Sequence, residues 1–435
     1  MKIAVFGAGY VGLVCSACFS DFGIDVMCID IDEEKIEKLN HSILPVFEPG
    51  LEELLKKNLL NGRLKFSSDS IQAIHSSEII FITVGTPNNE HHIADLTQIY
   101  ELAAQIGKHI NGYKVIAIKS TVPVGTNRKV REVIEENINE RNMKIEFDVV
   151  SNPEFLREGK AIYDFTHPDK IVIGSDNENA TDIIKKLYKP IYIGEIPFIC
   201  CDIESAELIK YACNAFLATK IAFINEMANL CERTGGNINA VAYAMGKDGR
   251  IGSKFLHPGP GFGGSCFPKD LLALTTFASE NGVSLDIATA TYQSNNRQKK
   301  EVVNKLRKRM VELRNKKIAV LGLTFKAETD DIRESAALEV IAELLKEGCH
   351  INAYDPKGMD NMKKIFPAVN YSVSYKECVK DADAVVILTE WHELRNLDLN
   401  YLKKNMRGTL LYDSRNLYNR SEVEQLGLIY IGTGV

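Results

Sequence analysis

An apolar run, Lys2–Phe6, opens directly onto Gly7-Ala8-Gly9-Tyr10-Val11-Gly12, an amphipathic stretch continues to Phe22, and a second apolar run, Asp25–Ile29, ends at Asp30. Strand, glycine turn, helix and strand in that order admit one arrangement, a right-handed βαβ unit with parallel strands. The layout returns near Lys316. Lys317-Ile318-Ala319-Val320-Leu321-Gly322 parallels Lys2–Gly7, His350–Asp355 parallels Asp25–Asp30, and residues 381–388 echo 76–83. At 435 residues and 45 % hydrophobic, the chain exceeds what a single core supports, about 250–300 residues, so two α/β sheets are expected.

The stretch between these halves reads differently. From Cys201 to about Gly235 apolar residues recur at spacings of three and four (Ile203, Ala206, Leu208, Ile209, Ala212, Phe216), predicting a long helix, and helical character resumes from Leu271 to about Lys308. The fold class expected is α/β. It consists of two Rossmann-like doubly wound parallel-sheet domains, residues 1–200 and 309–435, joined by a long central helix within a helical dimerisation region, residues 201–308.

In the first half, Gly7 and Gly9 clear space at a helix N-terminus, where free N–H groups and the helix dipole favour a pyrophosphate. Asp30 stands at the spacing of an acid that accepts from both adenosine-ribose hydroxyls, and its charge would repel a 2′-phosphate, so the pattern indicates NAD rather than NADP. Lys35 is close enough to reach the same end of the cofactor. Further strands are expected at 78–84, 115–118 and 148–151, and ligands of open α/β sheets sit beyond such strand ends. Thr86, Thr121, Glu154 and Glu158 lie there, each also explicable as a turn or cap residue. The second half lacks the glycine fingerprint. Lys326, Arg333 and Arg415 suit a phosphate-bearing ligand other than the dinucleotide, with plain surface charge as the competing account.

The most chemical stretch is His257-Pro258-Gly259-Pro260-Gly261-Phe262-Gly263-Gly264-Ser265-Cys266-Phe267-Pro268-Lys269-Asp270. It presents a thiol on a glycine-rich loop expected to bury little apolar surface, and the neighbouring Lys269 would favour the nucleophilic thiolate. A small buried hydrophobe is the alternative. Lys210 and Asn214, four apart on the long helix, share a face among apolar neighbours, either in a site or as a solvated stripe.

Several classes have little support. A formal net charge of -6 with no broad basic face argues against nucleic acid. No run of about 18 apolar residues suggests a membrane span. The apolar start is interrupted by Gly7, Gly9 and Gly12 and followed by Asp21, unlike a signal peptide. Ten cysteines are too sparse for a disulfide scaffold and match no zinc spacing, so no metal is expected; Cys15 and Cys18 fall in the first helix, where packing explains them. The expected compartment is the reducing cytoplasm.

Taken together, Gly7-x-Gly9-x-x-Gly12, Ser120–Thr126, Asn152–Glu158, Glu207-Leu208-Ile209-Lys210 with Asn214, Gly259–Asp270, and Lys326 with Asp331-Ile332-Arg333-Glu334-Ser335 resemble, over essentially the whole chain, the nucleotide-sugar 6-dehydrogenase family. The resemblance implies oxidation of a primary alcohol to a carboxylate in two hydride transfers, consuming two NAD. Cys266 would hold the aldehyde as a thiohemiacetal, whose oxidation yields a thioester that water hydrolyses. Lys210 would stabilise oxyanions at the sugar carbon and Asn214 donate to the same oxygen. Asp270 would orient water or move a proton, Glu154 serve thioester hydrolysis, and Thr121 hold a water. The base of the first oxidation stays open.

By the same resemblance the cofactor would meet Gly7, Gly9, Tyr10, Val11, Gly12, Asp30, Lys35, Thr86, Thr121, Glu158, Lys269 and Arg333. The nucleotide sugar would meet Glu154, Phe155, Leu156, Lys210, Asn214, Arg250, Phe255, Leu256, Gly263, Lys326 and Arg415. In relatives the arginine matching Arg250 arrives from a neighbouring subunit, which implies at least a homodimer, with the long helix in its core. The Phe267-Pro268-Lys269-Asp270 ending points to UDP-glucose, with a UDP-N-acetyl-hexosamine or GDP-mannose as the alternative. An NAD-binding module without chemistry, or a two-electron hydroxy-acid dehydrogenase, would have no use for a nucleophilic thiol.

Overall fold

Lys2–Phe6 forms β1 with its side chains split between two cores: Ile3 and Val5 face one apolar cluster, Ala4 and Phe6 the other. Seven strands join it, β2 (Asp25–Ile29), β3 (Leu64–Ser67), β4 (Ile79–Ile82), β5 (Lys114–Ile118), β6 (Phe147–Ser151), β7 (Ile171–Gly174) and β8 (Phe198–Cys201). Their order is β3-β2-β1-β4-β5-β6-β7-β8, parallel except at β6–β7. In this computed structural model residues 1–90, 92–191 and 197–435 are described.

The chain runs outward from β1 to β3 and then returns to β4, so strand order reverses between β1 and β4. That switch point is where loops diverge and leave a crevice at the strands' C-terminal ends. Both sheet faces are covered. Phe19 of helix Tyr10–Asp21 is fully buried on one face, stacked 5.4 Å from Phe81 and edge-on to Phe165 at 5.0 Å. Ile99, Ile106 and Ile134 close the other. Two-sided burial explains the continuous apolar runs of β4 and β5. Cys15 and Cys18 are packed into the first of these cores.

The described residues divide into two units, 1–213 and 214–435, at a boundary inside helix Ile203–Thr234. The second unit carries helices Ile238–Lys247, Phe267–Glu280 and Asp286–Arg309. Its sheet comprises β9 (Lys317–Leu321), β10 (His350–Tyr354), β11 (Asn370–Tyr371), β12 (Ala384–Ile387), β13 (Leu410–Asp413) and β14 (Ile429–Ile431), all parallel in the order β11-β10-β9-β12-β13-β14. This repeats the order of the first six strands, and the details repeat with it. Gly7 donates to Ile29 O at 2.7 Å with φ 105°, and Gly322 to Tyr354 O at 2.8 Å with φ 89°. The expected α/β class with two doubly wound sheets is the observed one.

One expectation needs correction. The helical pattern read from Leu271 to about Lys308 is two helices, the first beginning earlier, at Phe267, and ending at Glu280. Gly282 follows with φ 74°, a left-handed turn that halts the first helix before the second starts at Asp286.

Candidate active site

At the switch point of the first unit, Gly9 is the N-cap of helix Tyr10–Asp21. A Cβ at Gly12 would stand 1.8 Å from the Gly7 carbonyl oxygen, so this glycine lets helix and strand touch. A Cβ at Gly9 would meet nothing within 4 Å. Packing therefore does not require the second glycine, and the room it leaves lies at the helix N-terminus, where an approaching pyrophosphate needs it. Asp30 sits beside this turn. Its Oδ2 accepts from Ala8 N–H at 2.9 Å and Lys35 Nζ at 3.0 Å, and its Oδ1 from Asp32 N–H at 3.1 Å. A carboxylate offers about four lone-pair sites, so capacity remains for a ribose hydroxyl. Ile31, next to it, is 88 % exposed, an apolar surface that a base could cover.

Beyond β4 and β5, Thr86 Oγ1 donates to Thr121 O at 2.8 Å, joining two of the candidate loops. Glu207, on the long helix, clamps the end of the second. Its carboxylate accepts from Gly125 N–H at 2.7 Å, Asn127 N–H at 2.8 Å and Asn127 Nδ2 at 2.6 Å, capping helix Thr126–Glu140. Burial raises the Glu207 carboxyl pKa and these donors work against that rise. One turn further along, Lys210 reaches Glu154. The two side chains, 5 % and 8 % exposed, meet at 2.9 Å, and Glu154 Oε2 also accepts from Leu156 N–H at 2.5 Å. The ammonium lies 5.3 Å from the centre of the Phe155 ring. Glu158 is half-buried in the same loop. Lys210 is thus no solvated stripe but a buried cation.

In the second unit Asn214 is equally buried, and its Nδ2 donates to Asp270 Oδ2 at 2.7 Å. Lys269 Nζ lies 2.8 Å from Asp270 Oδ1. Cys266 is the N-cap of helix Phe267–Glu280 and is exposed, with Pro268 in the first turn and Asp270 N–H bonded to its carbonyl at 2.8 Å. A helix N-terminus favours developing negative charge, which suits a sulfur nucleophile.

The loop before Cys266 departs from expectation, since Pro258–Gly264 are buried rather than solvated. Side-chain amides replace a ladder: Asn225 Oδ1 accepts from Gly259 N–H at 2.8 Å, Gln298 Nε2 donates to Gly259 O at 2.8 Å, and Asn295 takes both Phe262 N–H and O, at 2.7 and 2.9 Å. Cβ atoms at Gly263 and Gly264 would stand 2.3 Å from Glu334 O and 2.8 Å from the Phe325 ring. The glycines hold a rigid pedestal that ends in an exposed thiol.

Of the cations read in the second half, Arg415 packs under this pedestal. Its Nη1 lies 3.1 Å from where a Gly259 Cβ would be, and its Nε donates to Leu388 O at 2.8 Å. Lys326 lies by the Phe325 ring at 5.6 Å, and Arg333, 64 % exposed, pairs with Asp331 while its carbonyl accepts from Gly264 N–H. Arg250 is brought to none of these: its side chain is 90 % exposed and pairs with Asp248. Phe255 has φ 65° and lies 6.3 Å from Phe267; Leu256 is buried among Ile224, Ala228 and Ile238. Asp355, the sequence counterpart of Asp30, is fully buried and bonded to Leu323, Thr324, Lys357 and Gly358 N–H groups and to Trp391 Nε1. It stabilises the turn of β9 and has little left for a ribose.

Sequence reasoning missed Glu207 as a clamp and the amides Asn225, Asn295 and Gln298. Their signal was a polar side chain on the apolar face of a helix, which costs about 1–3 kcal/mol when buried unless it is bonded.

Residues 1–192 match the NAD binding domain of the UDP-glucose/GDP-mannose dehydrogenase family, 204–297 its central domain and 319–420 its UDP binding domain. The chain is similar to a UDP-glucose 6-dehydrogenase of Rhizobium meliloti (46 % identical, covering 100 % of this chain and 99 % of the relative) and to the UDP-glucose 6-dehydrogenase TuaD of Bacillus subtilis (45 %, 100 % and 93 %). Among solved structures it resembles a UDP-glucose dehydrogenase of Pyrobaculum islandicum (TM-score 0.91, 35 % identical, 100 % and 97 % covered) and a UDP-D-ManNAc dehydrogenase of Pyrococcus horikoshii (0.86, 28 %, 100 % and 99 %).

Proposed function

The chain belongs to the UDP-glucose/GDP-mannose dehydrogenase family, and on that premise we propose that it oxidises the C6 primary alcohol of UDP-glucose to the carboxylate of UDP-glucuronate, with Cys266 as the covalent carrier. One observation carries the mechanism. Cys266 is an exposed thiol at a helix N-terminus, displayed by a buried loop that Asn225, Asn295 and Gln298 hold through side-chain hydrogen bonds. NAD, bound at the Gly7–Gly12 turn beside Asp30, supplies the hydride acceptor for each of the two oxidations.

The protein's own groups do the rest. The Cys266 sulfur adds to the aldehyde carbon, forming a C–S bond, and the carbonyl oxygen takes a proton, giving the thiohemiacetal. Loss of a hydride from that carbon, with the hydroxyl proton passing to solvent, leaves the thioester. Water adds to that carbonyl, the C–S bond breaks, and the thiol is released with the carboxylate. Lys210 supplies positive charge to the oxyanions of addition and hydrolysis, and Glu154, bonded to it at 2.9 Å, takes the proton of the attacking water. Asp270, held by Asn214 and Lys269, assists proton movement at the sulfur. Lys326 and Arg415 serve the nucleotide's phosphates.

A homodimer fits the same reading. Phe216, Phe223 and Leu230 recur every seven residues on the long helix and are 66 %, 45 % and 52 % exposed, a stripe that a second copy would cover. Arg250, exposed and paired with its neighbour Asp248, would serve a partner's site. Ten cysteines, too sparse for a disulfide scaffold, suit a reducing cytoplasm. UDP-glucose is favoured over an N-acetyl-hexosamine by the higher identity to the glucose-named relatives, 46 % against 28 %.

The test is an NADH assay across UDP-glucose, UDP-N-acetylglucosamine, UDP-N-acetylmannosamine and GDP-mannose, with intact-protein mass spectrometry. Two NADH per UDP-glucose and an adduct absent in Cys266→Ala are expected. One NADH per sugar, or undiminished turnover in the variant, refutes the assignment.

A further inference from the structure

Between helices Glu33–Asn40 and Leu51–Leu60 the chain carries a buried carboxylate that has no part in the chemistry above. Glu48 is 5 % exposed. Its Oε1 accepts from Ala161 N–H at 2.8 Å, and its Oε2 accepts from Gly159 N–H at 2.6 Å and from the Tyr10 hydroxyl. The Gly159 N–H is shared with the Tyr10 oxygen at 3.1 Å. These partners, two backbone amides and a phenol, are neutral donors, and a carboxylate so buried depends on hydrogen bonds of this kind. Burial, followed by the Glu48 carboxylate, holds the Tyr10 phenol well above its usual pKa, so it stays protonated and keeps donating.

The partners belong to two functional segments. Tyr10 is the first residue of the helix that follows Gly9. Gly159 directly follows Glu158, at the end of the loop that carries Glu154. Glu158 is also near enough for its charge to act on the Tyr10 phenol.

We propose that Glu48 is a positioning residue: it ties the loop bearing Glu154 and Glu158 to the first turn of the dinucleotide helix, so that cofactor affinity depends on a side chain that touches neither cofactor nor substrate. The inference rests on NAD binding at the Gly7–Gly12 turn. It has no sequence motif of its own; the link exists only where three separated segments meet.

Two variants separate the link from general packing. Glu48→Gln keeps the volume but turns an amide NH2 towards Gly159 or Ala161, opposing donor to donor. Tyr10→Phe removes only the hydroxyl and leaves both backbone bonds to Glu48. The readouts are hydrogen exchange of a peptide spanning residues 155–163 in cofactor-free protein and calorimetric titration with NAD. In Glu48→Gln, exchange rises and the NAD dissociation constant weakens, each by about tenfold, as expected for losing bonds to a charged group. Tyr10→Phe gives a smaller change in the same direction. The double variant is no weaker than Glu48→Gln alone, because both act through one link. Unchanged exchange and affinity in Glu48→Gln, or fully additive effects, would overturn the proposal. Should Glu48→Gln fail to fold, Tyr10→Phe decides by the exchange readout in cofactor-free protein, since Tyr10 itself lies at the cofactor turn. Wild-type protein that does not bind NAD refutes the cofactor reading instead, while the exchange comparison still decides whether the link exists.

Discussion

Gly9→Ala and Gly12→Ala change the same fingerprint by the same methyl group and should fail in opposite ways. At Gly12 the new Cβ would lie 1.8 Å from the Gly7 carbonyl oxygen and 2.7 Å from Thr83 Oγ1. Reaching even 3.0 Å requires a shift of 3.0 − 1.8, or 1.2 Å. The carbonyl cannot yield freely, because Thr83 Oγ1 bonds to it at 2.9 Å and to Phe6 O at 2.8 Å. Overpacking of this kind costs about 1–3 kcal/mol, which lowers Tm by roughly 2–12 °C for a domain of about 200 residues. At Gly9 φ is -83° and ψ -171°, open to any residue, and the methyl meets nothing within 4 Å. Stability should stay within about 1 kcal/mol of the wild type, since alanine also restricts the unfolded chain. The methyl instead stands where the pyrophosphate approaches, so NAD affinity should fall by about tenfold to a hundredfold, or 1.4–2.8 kcal/mol. Thermal denaturation without cofactor, paired with calorimetric NAD titration, separates the two. Equal destabilisation by both substitutions, or wild-type NAD affinity in Gly9→Ala, would refute the division of labour.

Three further outcomes follow from single contacts. Lys210→Met leaves Glu154 buried without its cation and should cost about 3–5 kcal/mol in urea denaturation, with Glu154→Gln restoring most of it in the double variant. A cost below about 1 kcal/mol would mean that the pair is hydrated in solution. Phe223→Asp, on the exposed helix stripe, should leave circular dichroism unchanged and shift sedimentation to a monomer; an unaltered sedimentation coefficient argues against dimerisation through this face. Arg407→Gln tests an acid-linked contact. The Arg407 hydrogen bond holds the Asp383 carboxyl below its ordinary 3.8, so its stabilisation is present above that value and is lost as pH falls through the lower folded value. The stability difference between wild type and Arg407→Gln should therefore be flat near neutrality and close only in strong acid. A difference that closes between pH 5 and 7 would point to another group.

How far the chain is legible before folding depends on the range of the interaction. The βαβ start was readable because its residues are local: Lys2–Phe6 and Asp25–Ile29 occupy the expected strand positions, and Gly7 has the positive φ its place requires. The break in the helical stretch after Glu280 was harder, since Gly282 acts only through its own backbone angle. Glu48 was not readable at all. Its partners, Tyr10, Gly159 and Ala161, are far apart in sequence, and nothing in Phe47-Glu48-Pro49 announces a buried acid.

The amino-acid order alone therefore determines two parallel-sheet halves, a dinucleotide turn and a thiol at the end of a glycine run, because each depends on backbone freedom and apolar period within one short segment. Tertiary structure decides which polar groups are buried and what satisfies them. Lys210 finds Glu154, Asn214 finds Asp270, and three amides hold the loop before Cys266, where the sequence also allows a solvated stripe and a loop that buries little. The physical reason is desolvation. A polar side chain removed from water must bond to whatever the fold brings within about 3 Å, and only the folded chain specifies that neighbour.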